Sequence, residues 1–194
     1  MKFTKKQIER YSRQIILKKI GAVGQKKLLN SRVLIVGAGG LGSPVTIYLA
    51  ALGIGKIGII DKDKIEISNL HRQVIFTTHD LKKNKSSIAI KKIKKINPDI
   101  KVESFNKILD AKNINNIAKN YDLLVDGSDN FRTRFTINDY CLKTKKILVS
   151  GAISKFDGQV YTFNFSNKNL LVLDVLFQQC QQTLMLIIAN MKGF

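Results

Sequence analysis

Three features of the sequence predict an α/β fold of three layers, a mainly parallel sheet between helices, preceded by an N-terminal helical segment. First, the apolar run Val33-Leu34-Ile35-Val36 passes straight into Gly37-Ala38-Gly39-Gly40-Leu41-Gly42 and a helix opening on Ser43. A strand, a glycine turn and a helix in that order describe a phosphate cradle, because only glycine lets the backbone turn so tightly and approach an anion so closely. Second, strand-like and helix-like segments alternate along the chain, which puts helices on both faces of a parallel sheet. Third, Gly37, Asp61 and Asp126–Asp129 all fall at the carboxyl ends of predicted strands, where such a sheet holds its ligand.

Taken in order, Thr4 to about Gln25 reads as helical, with Thr4 and Gln7 in capping-box spacing. Arg32–Val36 reads as a buried strand and Ser43–Leu52 as a helix that tolerates Pro44 in its first turn. Lys56–Ile60 is the second strand, followed by a long irregular segment from Asp61 to Leu81. A lysine-rich helix then ends before Asn97-Pro98, since proline disfavours helix in the residue before it. Further strands are expected at Ile100–Phe105, Asp122–Val125, Ile147–Val149 and Val160–Phe165, with a helix at Asn130–Lys143. The whole is Rossmann-like, with residues 1–166 as one nucleotide-binding domain and 1–30 as its N-terminal helices.

Composition bounds the class. A chain of 194 residues with 44% hydrophobic content can bury one good core. No apolar run approaches the ~20 residues of a membrane helix, and Met1-Lys2-Phe3-Thr4 opens no signal peptide. The cytoplasm is the expected compartment. The two cysteines, Cys141 and Cys180, supply neither a CxxC pair nor a disulfide framework. A net charge of +19 is read mainly as lysines on solvated helix faces: Ala89, Ile93 and Ile96 form one stripe while Lys91, Lys92, Lys94 and Lys95 crowd the other side. Binding of nucleic acid by a basic face is the lesser reading, and attraction to an acidic protein fits either.

Several side chains carry chemistry. The glycines Gly37, Gly39, Gly40 and Gly42 form the cradle. Asp61 follows the turn by about 20 residues, where a carboxylate accepts hydrogen bonds from a ribose; Asp63 either joins it or shapes the loop. Arg72 and Gln73 lie in a segment too long and polar for a passive connector, and a guanidinium there can neutralise phosphate oxygens bidentately. The alternative for Arg72 is a surface arginine. Lys85 could reach the same phosphates, but spacing favours it no more than Lys82 or Lys83. Asp129 lies in the strand-to-helix turn Asp126-Gly127-Ser128-Asp129-Asn130. It is a candidate Mg²⁺ ligand, since that ion takes one or two carboxylates alongside phosphate oxygens; helix capping is the competing role for Ser128, Asp129 and Asn130. His71 and His79 read as plain polar loop residues and Cys141 as a core thiol.

Arg10-Tyr11-Ser12-Arg13-Gln14-Ile15, the Gly37–Ser43 loop, Asp61-Lys62-Asp63, Ser68-Asn69-Leu70-His71-Arg72-Gln73 and Asp126–Asn130 with Arg134 and Asn138 occur in this order. Together they resemble the ubiquitin-activating-like (HesA/MoeB/ThiF) adenylyltransferase family, which includes the molybdopterin-synthase and thiazole-pathway activating enzymes. The resemblance covers roughly Lys6 to Phe165. It implies a nucleotidyltransferase that uses ATP and Mg²⁺ to adenylate the C-terminal glycine carboxylate of a small ubiquitin-like, β-grasp sulfur carrier, in molybdopterin or thiamine biosynthesis. It further implies that Gly40 lies in the nucleotide loop and that Asp61 accepts the ribose. Asn69, Arg72 and Lys85 would contact phosphate, and Asp129 would bind the metal. Arg13 would enter the neighbouring subunit's site, and so a homodimer is expected. Three other readings stay open: a tRNA-modifying adenylating enzyme of the same class, an NAD(P)-dependent oxidoreductase, and an inactive nucleotide-binding remnant.

Beyond Phe165 the resemblance stops. The family's two Cys-x-x-Cys pairs are absent, so zinc, expected for the family, has no ligands here. Residues 167–194 form an apolar tail containing Leu184-Met185-Leu186-Ile187-Ile188-Ala189, which favours aggregation if exposed. Codons allowed for Leu171–Asp174, read from the third base of Leu171, can spell Cys-x-Arg-Cys. The tail is therefore expected to arise from a frameshift, with possible loss of carrier engagement.

Overall fold

The computed structural model describes residues 2–166; the tail of 167–194, with its apolar stretch and Cys180, lies outside the described residues. Six helices and six strands run α1 (Lys5–Ile15), α2 (Gly21–Asn30), β1 (Arg32–Val36), α3 (Gly42–Leu52), β2 (Lys56–Ile60), α4 (Lys85–Ile96), β3 (Lys101–Phe105), α5 (Ile114–Ala118), β4 (Leu123–Asp126), α6 (Phe131–Thr144), β5 (Ile147–Ser154) and β6 (Asp157–Asn164). The strands form one sheet in the order β3-β2-β1-β4-β5-β6. All neighbours pair in parallel except β5 and β6, which form an antiparallel hairpin. The three-layer α/β fold expected from the alternation is therefore present.

The two faces of β1 show why a continuous apolar run makes a central strand. Val33 and Ile35 join a core with Ile57 and Ile59 of β2, Ala50 of α3 and Ile88, Ala89 and Ile93 of α4. Leu34 and Val36 point the other way, into a core with Leu124, Ile114 and Ile117 of α5, Ile137 and Cys141 of α6, Leu148 and Phe163. Successive strand residues face opposite sides, so a strand buried on both faces has no polar positions to spare.

The sequence and the structure differ in several places: among them, β5 and β6 run Ile147–Ser154 and Asp157–Asn164 where Ile147–Val149 and Val160–Phe165 were expected. The single helix expected over Thr4 to about Gln25 is two helices, because the Leu17 carbonyl accepts from both Ile20 N (3.0 Å) and Gly21 N (2.8 Å) and closes a turn. The Thr4–Gln7 capping box does open α1 as expected, with both reciprocal bonds made. The short helix α5 had no counterpart in the apolar pattern. The segment after β2, expected to be irregular, contains two 3-10 turns, Ile67–Asn69 and Thr78–Asp80, and it is pinned, in keeping with the expectation that it is no passive connector. The Asp80 carboxylate accepts from Thr77 N and Oγ1 (2.9 and 2.8 Å) and pairs with Lys92 of α4 at 2.8 Å. No helix among the described residues is long and apolar enough to cross a membrane.

A polar bolt ties the N-terminal helices to the domain. Asn97 is fully buried at the end of α4, and its amide donates to Tyr11 Oη (2.9 Å) and to the Ala50 carbonyl (2.8 Å). Replacing Asn97 by alanine strands both acceptors in the interior, so stability should fall by about 2 kcal/mol, read as a lower urea midpoint at unchanged slope. A second expectation concerns Asp80. Burial opposes its ionisation, but Lys92 and Thr77 outweigh that and hold the carboxyl at about 2, below its ordinary 3.8. A depressed carboxyl contributes stability above its unfolded value and loses it as pH falls through the folded one. The stability difference between the parent and Asp80→Asn should thus be full near neutrality and shrink between about pH 4 and pH 2.

Candidate functional site

Because β1 is flanked by β2 on one side and β4 on the other, the chain leaves its carboxyl edge in opposite directions, and a crevice opens there. The glycine turn lines this crevice. Gly37 has φ +87°, and a Cβ on it would lie 2.9 Å from the Gly127 carbonyl oxygen; a Cβ on Gly42 would run into the Gly37 carbonyl. Both positions exclude any side chain, which is how the turn closes. In the first turn of α3 Ser43 N is already held by the Gly39 carbonyl (2.9 Å) and Pro44 carries no N–H, so it is the helix dipole that favours an anion there.

Asp61 follows β2 directly, beside this turn. Its Oδ2 accepts from Ala38 N at 2.8 Å and its Oδ1 from Asp63 N at 2.7 Å. Burial raises its carboxyl above the ordinary value, against the opposing pull of those two amides and of Lys85. The carboxylate is anchored at the edge of the cradle, with lone pairs left for a ribose hydroxyl.

The pinned segment brings its cation over the glycines. Asn69 Oδ1 accepts from Glu66 N at 3.1 Å and caps a 3-10 turn, and the Asn69 carbonyl in turn holds Arg72 N and Gln73 N (3.2 and 2.9 Å). Asn69 is thus a brace for the two residues that follow it. The Arg72 stem covers Gly40, its Cδ 3.6 Å from where a Cβ would stand, while its Nη1 donates to the Ser68 carbonyl at 2.9 Å. Gln73 is buried with Nε2 3.9 Å from the corresponding point on Gly39, and its Oε1 has no hydrogen-bond partner among the described residues.

Lys85 is where tertiary structure separates what spacing left equal. It is only 6% exposed, and its Nζ sits 3.2 Å from Asp63 Oδ2, whereas Lys82 and Lys83 are on the surface. Asp63 therefore serves as the counter-ion of Lys85, and the Asp63 carbonyl also accepts Lys85 N at 2.9 Å. Lys85 is thus a buried ammonium paired with Asp63 and electrostatically coupled to Asp61.

The turn after β4 completes the crevice. Gly127 N donates to the Val36 carbonyl at 2.9 Å, which docks this turn against the glycine turn. Helix capping falls to Asn130, whose Oδ1 accepts from Thr133 N at 2.9 Å; Asp129, exposed at the turn, is not the cap. One exposed carboxylate next to a phosphate cradle suits Mg²⁺, which completes its shell with phosphate and water oxygens. The described residues contain no cluster of three or more His, Cys, Asp or Glu that could hold a metal without such help. Zinc has no support there: Cys141 is buried in α6 and burial pushes its thiol up to about 12.

The structure thus gathers Gly37, Gly39, Gly40, Gly42, Asp61, Asp63, Asn69, Arg72, Gln73, Lys85 and the turn carrying Asp129. Arg13 is elsewhere. Neighbouring Arg10 donates to the Ile96 carbonyl at the far end of α4 (3.0 Å), and Tyr11 packs on Gly53 at the far end of α3. The 11 residues of α3 correspond to a separation of about 16 Å at the helical rise. Spacing alone also missed the support of the last turn: buried Asp126 and Arg134, joined at 3.1 Å. The sequence cues were an acidic residue closing an apolar strand and the place of Asp126 and Arg134 in the motif that carries the family resemblance.

Comparisons with known proteins give the family. A model of the ThiF family matches residues 11–189. A probable molybdopterin-synthase adenylyltransferase of Porphyra purpurea is 53% identical over 156 residues, 80% of this chain and 41% of that protein. A sulfur carrier protein adenylyltransferase of Thermus thermophilus is 46% identical over 164 residues, 84% of this chain and 60% of that one. The chain thus spans about half the length of these curated relatives. Among solved structures, that of Escherichia coli MccB with AMPCPP and MccA superimposes with a TM-score of 0.70 at 32% identity, covering 78% of this chain and 48% of that one. On the matched sequence and the shared architecture, this chain belongs to the ThiF family.

Proposed function

We propose that this chain is an adenylyltransferase that activates the C-terminal carboxylate of a small β-grasp sulfur carrier with ATP, for molybdopterin or thiamine biosynthesis. One observation carries the reading: Asp61 accepts from the glycine turn, Arg72 lies over it, and buried Lys85 pairs with Asp63 and acts electrostatically on Asp61, though the three are far apart in sequence. The names of the relatives from Porphyra purpurea and Thermus thermophilus support adenylation, and the second supports a sulfur-carrier substrate. A nicotinamide oxidoreductase would use the turn but has no need of a buried lysine and an arginine over it.

In the proposed reaction a carrier carboxylate oxygen attacks the α-phosphorus of ATP. The bond from that phosphorus to the bridging oxygen breaks, and pyrophosphate leaves with the electron pair. Asp61 holds the ribose, and the glycine turn with the start of α3 receives the phosphates. Lys85, released from Asp63, and Arg72 balance the charge that builds on the phosphate oxygens. Asp129 would hold Mg²⁺, whose bound form supplies Lewis-acid polarisation of the phosphoryl oxygens. The acyl-adenylate then awaits a sulfur nucleophile from outside the described residues, because Cys141 is buried and held as the thiol.

The reading includes a homodimer in which Arg13 serves the partner's crevice. Its support is placement: Arg13 is exposed at the end of α1 next to Ile16 (70% exposed) and Leu17 (52%), an apolar surface of the kind that subunits cover.

ATP–pyrophosphate exchange with a β-grasp carrier tests the reaction. Asp129→Ala should lower exchange by about a hundredfold or more with the melting temperature retained; undiminished exchange removes the metal assignment. Mixing Arg13→Ala with Asp129→Ala chains tests the dimer. Random assembly makes half the dimers hybrid, each with one intact site of two, so about a quarter of parent activity should return. No recovery would end the shared-site reading. ATP affinity should also weaken on acidification sooner than for an ordinary aspartate, because the raised Asp61 carboxyl loses its charge at a higher pH; Asp61→Asn should flatten that dependence.

A further inference from the structure

We propose that Arg134 is a positioning residue of this site, gripping the turn after β4 so that Asp129 presents its carboxylate to Mg²⁺. The proposal rests on the reading of Asp129 given above.

Arg134 belongs to the first turns of α6 and is 8% exposed. Its Nη2 donates to the Ser128 carbonyl at 2.9 Å and to the Gly151 carbonyl of β5 at 3.0 Å. Its Nε lies 3.1 Å from Asp126 Oδ2. Asp126, almost wholly buried, continues the grip: Oδ2 accepts from Ser150 Oγ at 2.9 Å, and Oδ1 accepts from Ser128 N and Oγ at 3.0 and 2.6 Å. Ser128 is therefore held by carbonyl, amide and hydroxyl together. On the other side, Asn130 is fixed as the cap of α6. Asp129 is the one residue between these two clamped neighbours, and it is exposed.

A stability argument alone does not explain this arrangement. A buried ion pair is commonly neutral or worse against an apolar replacement of similar volume. What a guanidinium supplies is a rigid planar group: Nη2 bonds the turn and β5 together while Nε, without a hydrogen bond of its own, faces Asp126 of β4 as an ion pair, a fixed spread that a flexible ammonium does not hold. Outer partners that orient a metal ligand typically alter metal affinity or activity by about ten- to a hundredfold when removed.

Arg134→Lys is the informative variant, since it keeps a positive charge facing Asp126 while losing the planar group. ATP affinity of the full chain is measured by calorimetry with EDTA and then across a Mg²⁺ titration, alongside pyrophosphate exchange. We expect EDTA-state affinity within about twofold of the parent and about a tenfold loss in the Mg²⁺-dependent gain. Asp129→Ala should lower the same gain, and the double variant should fall no further than Asp129→Ala alone, because the two residues act through one ligand. Unchanged Mg²⁺ dependence, additive losses, or an equal loss with and without Mg²⁺ would overturn the proposal. So would loss of the cooperative melting transition in both Arg134→Lys and Arg134→Gln, which would place the residue in the fold rather than the site. A parent protein that binds Mg-ATP but exchanges no pyrophosphate would sink the reaction proposed above and leave these binding measurements decisive.

Discussion

The crevice depends on one close approach of backbone to backbone. The Gly37 turn and the Gly127 turn touch at the carboxyl edge of the sheet, with no room for a Cβ on Gly37. Gly37 N is held by the Ile60 carbonyl and Gly127 N by the Val36 carbonyl, each at 2.9 Å. The hydrogen-bond ladder of three parallel strands is thereby carried one residue beyond the strands themselves. That extension sets the glycine turn, the Asp61 carboxylate and the turn bearing Asp129 on one rim, where, in the proposed reaction, positioned charge would stabilise a developing anion.

Around that rim the charges are arranged with replaceable partners. Lys85 rests on Asp63, and Arg72 rests on the Ser68 carbonyl. In the proposed reaction each of these contacts is exchanged for a phosphate oxygen. By contrast, the contacts that hold the scaffold, Asp80 with Thr77 and Lys92, Asn97 with Tyr11, and Asp126 with Arg134 and Ser150, bind protein to protein. The pinned segment between β2 and α4 belongs to both sets, since its buried Asp80 secures the loop that carries Arg72 across the glycines.

Local pattern carried most of the elements. The apolar runs of β1 and β2 lie within the boundaries expected, because strands buried on both faces must be continuously apolar. The break between α1 and α2 and the five-residue α5 escaped notice, since a turn made by carbonyl sharing and a helix of one turn leave little periodicity. The same limit applies to the site. Asp61 stood out by its distance from the glycine turn, and Arg72 by the polarity of its surroundings. Lys85 could not be told from Lys82 and Lys83, because burial beside Asp63 is a contact made across the fold.

Chain order alone therefore specified the layers, the glycine turn and the kinds of charge near it, since these follow from periodicity and from which residues tolerate a tight bend. The choice among equals came from packing: Lys85 over its neighbours, Asn130 rather than Asp129 as the helix cap, and Arg134 as the clamp behind the turn. Those assignments rest on distances between segments dozens of residues apart. Such distances exist only once the sheet has brought the ends of β1, β2 and β4 side by side.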